Sequence, residues 1–307
     1  MPAAVTLVEV GPRDGLQNEA AAIATADKVA FVNRLSDAGH RVIEVAAFVS
    51  PTWVPQMADA SAVFDGIMRR PGTRYTALVP NSEGLARAIA ARADEIAIFG
   101  AASETFSRRN TNKTIAESLA VYTEVCARAR EAGIPVRAYV STAFGCPFEG
   151  PIAPRAVADV AAAFIDMGAY QVSVSDTIGL AHPGQVPLVM EAVTRRVAVE
   201  RIALHFHDTR GTALANVLVG LQLGVTTFDS SAGGLGGCPY APGATGNLAT
   251  EDLLFMLNGL GHATGVSLEK VLDASRFIEE KIGHPLASRY AAAERGRPAP
   301  AAERDNH

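Results

Sequence analysis

Leu204-His205-Phe206-His207-Asp208 closes a short apolar run that starts at Arg201-Ile202-Ala203. In a β-strand, side chains alternate between faces, so His205 and His207 would point one way and Phe206 the other. Two neutral imidazoles at a strand end can grip one divalent ion. The same pair is compatible with a surface strand carrying two incidental histidines. The metal reading therefore needs further ligands brought in from elsewhere in the chain.

The elements that must supply them follow a regular order. Apolar, β-branched runs recur at residues 5–10, 42–46, 74–79, 95–99, 136–141, 171–175, 202–207 and 225–229. Helical spacing lies between them, as in Val29, Val32 and Leu35, or Ile115, Leu119, Tyr122, Val125 and Ala129. Pro154 and Pro183 suit first helical turns, and Gly39, Gly133, Gly168 and Gly224 suit left-handed caps. Strand and helix alternate eight times, which predicts a parallel sheet closed into a (β/α)8 barrel, the TIM barrel of the α/β class. An open doubly wound sheet would carry a glycine fingerprint after its first strand, and Gly11-Pro12-Arg13-Asp14-Gly15 is not one. Residues 250–259 and 268–282 read as additional C-terminal helices. Residues 1–290 are expected to form one domain. Residues 291–307, rich in Ala, Pro, Arg and Glu, are expected to form a disordered tail.

Functional groups of such a barrel gather at the C-terminal ends of its strands. Those positions hold Arg13 and Asp14 after strand one, Glu44 within strand two and Ser141-Thr142 after strand five. Asp176-Thr177 follows strand six, His205 and His207 end strand seven, and Asp229-Ser230-Ser231 ends strand eight. Singly, Asp14 could cap a turn and Glu44 could pair with Arg13. Jointly they suggest a metal site, because a buried carboxylate needs a compensating cation. Asp14, His205, His207 and Asn247 would form a mixed oxygen and nitrogen set suited to Mg2+ or Mn2+. No cysteine pair has zinc-ligand spacing.

The loop Ser231-Ala232-Gly233-Gly234-Leu235-Gly236-Gly237-Cys238-Pro239-Tyr240 matches neither a Walker A nor a dinucleotide pattern. Its glycines would let it close over the site. Cys238 could act as acid or base there. Cys146 is a similar-looking competitor, and Cys126 falls in a helical pattern as a packing residue.

The bulk numbers narrow the function. Hydrophobic residues make up 49% of the 307, ample for a core, and the formal net charge of -5 gives no electrostatic case for nucleic acid. Three cysteines suggest a reducing compartment. No targeting pattern and no membrane-length apolar run are read, so a cytoplasmic location without membrane contact is expected.

Val8-Glu9-Val10-Gly11-Pro12-Arg13-Asp14-Gly15-Leu16-Gln17-Asn18-Glu19 resembles the opening motif of the 3-hydroxy-3-methylglutaryl-CoA (HMG-CoA) lyases. The stretch from Ser231 to Tyr240, and Gly246-Asn247-Leu248-Ala249-Thr250-Glu251-Asp252 after it, resemble their catalytic-loop signature. Phe48-Val49-Ser50-Pro51, Phe99-Gly100-Ala101-Ala102-Ser103-Glu104 and His205-x-His207-Asp208-Thr209 also fit. The resemblance covers roughly residues 5–285.

It implies a metal-dependent barrel lyase that cleaves HMG-CoA to acetyl-CoA and acetoacetate in leucine degradation. It implies Asp14, His205, His207 and Asn247 as metal ligands, Arg13 as the catalytic arginine and Cys238 as the loop cysteine. Glu44 and Asp176 match acidic residues of the site. Asp176, His207 or a water molecule would take the hydroxyl proton, and Cys238 would handle a proton at the enolate carbon. The expected partner is an acyl-CoA, and the expected assembly a homodimer. Arg108, Arg109 or Lys113 could meet CoA phosphates, unless they form only a solvated basic cluster.

Ala47, Ser175 and Arg210 stand where serine, glycine and tyrosine are common in that family. These departures bear on which acyl chain is accepted. A relative acting on a longer 3-hydroxy-3-alkylglutaryl-CoA is the nearest alternative. A condensing synthase would carry a second domain. A two-histidine, one-carboxylate iron oxygenase would leave Arg13 and Cys238 without a role. A non-catalytic metal-binding barrel is the alternative outside the enzymes.

Overall fold

The computed structural model describes residues 4–237 and 246–296. Eight strands form the inner layer: β1 (Thr6–Glu9), β2 (Val42–Ala47), β3 (Arg74–Leu78), β4 (Glu95–Ala101), β5 (Val136–Ser141), β6 (Gln171–Asp176), β7 (Ile202–Phe206) and β8 (Thr227–Ser230). Neighbours pair in parallel and in chain order, and β1 closes on β8 with Leu7 opposite Phe228. The expected eight-stranded barrel is the observed one. All eight apolar runs are strands, with ends shifted by one or two residues.

The helical layer holds α1 (Thr25–Asp37), α2 (Ala60–Gly66), α3 (Ser82–Ala90), α4 (Glu104–Thr111), α5 (Ile115–Glu131), α6 (Pro154–Asp166), α7 (Val186–Thr194) and α8 (Ala213–Gln222). α9 (Thr250–Gly259) and α10 (Leu268–Ile282) are the two expected closing helices. Thr114 and Glu117 form a reciprocal capping box that starts α5, satisfying two otherwise orphaned N–H groups. Pro154 opens α6 as its spacing suggests. Pro183 does not open α7, whose first turn instead contains Pro187. Gly39, Gly133, Gly168 and Gly224 all have positive φ.

The tail begins later than composition indicates. α11 (Arg289–Arg295) runs across residues 291–295. Asp252 accepts the backbone N–H groups of Arg289 and Tyr290, and Ser288 caps the first turn, so local hydrogen bonds outweigh a polar composition. Residues 297–307 lie outside those described.

The core is continuous. Outward-facing strand residues such as Ile43 and Phe228 pack under the helices, where full burial of each is worth ~1.5–3 kcal/mol. Among the described residues, no helix is long and apolar enough to cross a membrane.

Candidate active site and metal centre

Three parts of the chain deliver the ligating groups. His205 lies on β7 and His207 just beyond it. Asp14 stands in a tight turn after β1, in which the N–H groups of Arg13, Asp14 and Gly15 all point back to the Val10 carbonyl. Asn247 arrives on the segment after β8. There, Asp208 N–H donates to the Gly246 carbonyl and Leu248 N–H to the Phe206 carbonyl, each at 3.0 Å. Asn247 is thereby set opposite His207. Only glycine suits position 246: its φ is +94°, and a Cβ would lie 2.4 Å from the Gly236 carbonyl oxygen.

Asp14, His205 and His207 each offer a ligand atom within 4.8 Å of the others. That spacing suits one ion with bonds of ~2.0–2.6 Å. Asn247 joins them, its Nδ2 donating to Asp14 Oδ2 at 2.8 Å and to the Leu235 carbonyl at 3.0 Å. Both partners are pure acceptors, so the amide orientation is fixed and Oδ1 is left over. Oδ1 of Asn247 and Nδ1 of His207 are buried without a hydrogen-bond partner. Leaving such atoms unsatisfied costs ~1–3 kcal/mol each, and a divalent cation bordered by oxygen and imidazole nitrogen relieves that kind of cost. The residues present fit the ion expected from the sequence.

The protonation states agree. Burial acts to raise the Asp14 carboxyl, but Arg13 leads the positive charges that outweigh it and hold it at about 2. Burial, reinforced by His205, pushes His207 down to about 3. Near neutrality Asp14 is charged and His207 is neutral, which are the ligating forms.

Arg13 sits between two carboxylates. Its Nε pairs with Glu44 Oε1, and its Nη1 lies 2.6 Å from Asp14 Oδ1. Tyr139 donates to the other Glu44 oxygen at 2.9 Å, and its ring lies 5.6 Å from the guanidinium carbon. Glu44 therefore does pair with Arg13, but at the barrel mouth beside the ligand cluster. Nη2 of Arg13 has no hydrogen-bond partner among the described residues.

Asp176 ends β6 beside these groups. Its oxygens accept the N–H groups of Leu180 and Ala181, at 2.8 and 3.1 Å. Burial raises its pKa to about 6 against those hydrogen bonds. Arg210 donates to the carbonyls of Ile178 and Gly179 and so braces the turn that follows Asp176.

Other candidates fall elsewhere. Cys146 is buried with its sulfur 3.0 Å from Ser103 Oγ. Burial pushes the Cys126 thiol, inside α5, up to about 11. Cys238 lies outside the described residues. Arg109 stacks 4.2 Å over the Phe148 ring rather than standing as an uncommitted surface cation. Thr142, at the end of β5, holds a positive φ of 59° and donates its N–H to Thr177 Oγ1. A threonine in that backbone region is strained, and such strain clusters at functional rims.

Five buried residues around the site were not singled out from sequence: Glu9, Arg137, Tyr139, Ser173 and Glu251. Glu9 Oε1 accepts the N–H groups of Gly11 and Ala232, tying the Asp14 turn to the base of the glycine-rich loop. Glu251 accepts from Gly233 N–H in the same loop base. Arg137 crosses the barrel to Asp229. Glu9 and Arg137 are charges inside apolar strands, the same signal that marked Glu44.

A parallel barrel with an aspartate, two histidines and an asparagine at its C-terminal mouth defines a class of divalent-metal TIM-barrel proteins. Within that class the chain belongs to the HMGL-like family, which matches residues 4–278. It is 51% identical over 293 residues to the 3-hydroxy-3-methylglutaryl-CoA lyase, cytoplasmic, of Rattus norvegicus, covering 95% of this chain and 85% of that protein. It is likewise 51% identical to hydroxymethylglutaryl-CoA lyase YngG of Bacillus subtilis, covering 94% and 96% of the two chains. The crystal structure of hydroxymethylglutaryl-CoA lyase from Pseudomonas aeruginosa superposes with a TM-score of 0.94 at 50% identity, covering 96% and 98%.

Proposed function

We propose that this chain is a hydroxymethylglutaryl-CoA lyase, cleaving 3-hydroxy-3-methylglutaryl-CoA to acetyl-CoA and acetoacetate, and thereby serves leucine degradation. The observation that carries the reading is the convergence of Asp14, His205 and His207 within 4.8 Å of one another. The half-identity to proteins named as lyases of this substrate supports it.

The reaction removes the proton of the tertiary hydroxyl, breaks the C2–C3 bond and forms the ketone of acetoacetate. The bonding pair passes to C2 as a thioester enolate, which then takes a proton. Asp14, His205, His207 and Asn247 would hold Mg2+ or Mn2+, which when bound lowers the pKa of a chelated hydroxyl and orients it. Arg13 presents Nη2 to the thioester oxygen where negative charge develops. Glu44 and Tyr139 keep the guanidinium in place, which is the preorganisation such stabilisation needs. Asp176 receives the hydroxyl proton, its raised pKa matching a base that works near neutrality. Cys238 delivers the proton to C2.

The test is acetoacetate release from HMG-CoA with Mg2+ or Mn2+, with and without a chelator. Release that stops on chelation supports the assignment. Absence of release from folded, metal-loaded protein sinks it. A series of substrates lengthened at the C3 alkyl group reads the preference for methyl.

A further inference from the structure

His205 has a partner that neither the ligand cluster nor the proposed reaction uses. Its Nδ1 lies 3.2 Å from Asp229 Oδ2. Asp229 is on β8, opposite His205 in register, and is 2% exposed. The same oxygen accepts from Ser173 Oγ at 2.8 Å, and Oδ1 meets Arg137 Nη2 at 2.6 Å. Arg137 is itself 2% exposed, and its Nε donates to Gln171. A charged pair is thus sealed inside the barrel, directly beneath a residue of the metal centre.

Burying such a pair gives little net stability compared with apolar side chains of similar volume. Its geometry does constrain the imidazole. A carboxylate ion-paired to arginine only accepts hydrogen bonds, so Nδ1 of His205 must carry the proton. The lone pair is then confined to Nε2, and the ring plane is fixed by the Nδ1–H bond. Ser173 and Arg137 hold the carboxylate so that it cannot swing away.

We propose that Asp229, held by Arg137, is a positioning residue that fixes the tautomer and orientation of His205 for metal binding. The inference rests on the metal reading of the site given above, and not on which substrate is cleaved. Partners of this kind typically change metal affinity by ~10–100-fold when removed.

The test begins with the unaltered chain, free of metal. Long-range 1H–15N spectra of its imidazoles report tautomers directly, with His205 assigned by the signal lost in His205→Asn. The expected result is a proton on Nδ1 of His205. Mn2+ binding, followed by the paramagnetic resonance of the free ion, is then compared between the unaltered chain and Asp229→Asn. Because that change strands Arg137, the paired variant Arg137→Met with Asp229→Asn is measured alongside. Affinity lower by ~10–100-fold in a folded variant is expected. A proton on Nε2 in the unaltered chain overturns the proposal, as does unchanged affinity in either folded variant. If neither variant folds, the spectrum of the unaltered chain decides. Failure of acetoacetate release with the Nδ1 tautomer and Mn2+ binding intact would overturn the reaction and leave this positioning role standing.

Discussion

His207 and Asn247 face each other across an isolated antiparallel bridge at the barrel mouth. The bridge brings the amide of a late segment beside the carboxylate of Asp14, which it meets at 2.8 Å. The metal centre is therefore assembled by backbone pairing beyond the end of a strand. Several predictions rest on this assembly and on the buried charges around it.

Gly246→Ala is expected to disturb that pairing. A side chain at φ +94° would be forced against the carbonyl oxygens of Gly234 and Gly236. Strain of this kind costs ~1–3 kcal/mol. A lower melting temperature is expected, together with weaker Mn2+ binding through displacement of Asn247. Unchanged stability and binding would show that Asn247 does not depend on this backbone path.

Arg13→Met separates charge stabilisation from metal binding. Loss of an oxyanion donor typically lowers kcat by ~10²–10³-fold. Mn2+ affinity should persist, since Arg13 is not among the ligating groups. Turnover within a few-fold of the unaltered enzyme would remove Arg13 from the mechanism.

Metal removal should register in stability as well as activity. An ion that binds the folded chain alone stabilises it by ~2.7 kcal/mol at a hundredfold excess over Kd. Adding Mn2+ to chelator-treated protein should raise the melting temperature, and Asp14→Asn should abolish most of that rise. A melting curve insensitive to Mn2+ would contradict the centre.

Glu9 sets a pH dependence far from the metal. Burial raises its pKa from 4.5 to about 8, against the hydrogen bonds from Ala232, Thr250 and Gly11. Its folded pKa exceeds its unfolded one, so its contribution is fully present below pH ~4.5 and is lost as pH rises through about 8. Over that window the loss approaches ~1.4 kcal/mol per pH unit. His40, whose Nε2 lies 3.6 Å away, does not oppose this by charging, because burial holds it near 3. Glu9→Gln should flatten the stability profile between pH 4.5 and 8, as read by denaturant titration. An identical slope in the variant would show that Glu9 is ionised throughout.

The sequence alone determined the barrel, its strand order and the rim residues Arg13, Asp14, Glu44, Asp176, His205 and His207. Period-two and helical spacing are local properties, and a βα repeat leaves few topologies once handedness is fixed. The motif resemblance added Asn247, which no spacing rule would have selected. Tertiary structure alone decided that Glu44 Oε2 meets Tyr139, that Asp229 meets both Arg137 and His205, and that Glu9 reaches Ala232. These contacts join distant segments, and each depends on which strands become neighbours and which faces turn inward. A charge inside an apolar strand announces that a partner exists. Only closure of the barrel specifies which residue that partner is, because partner choice follows from proximity in space and not along the chain.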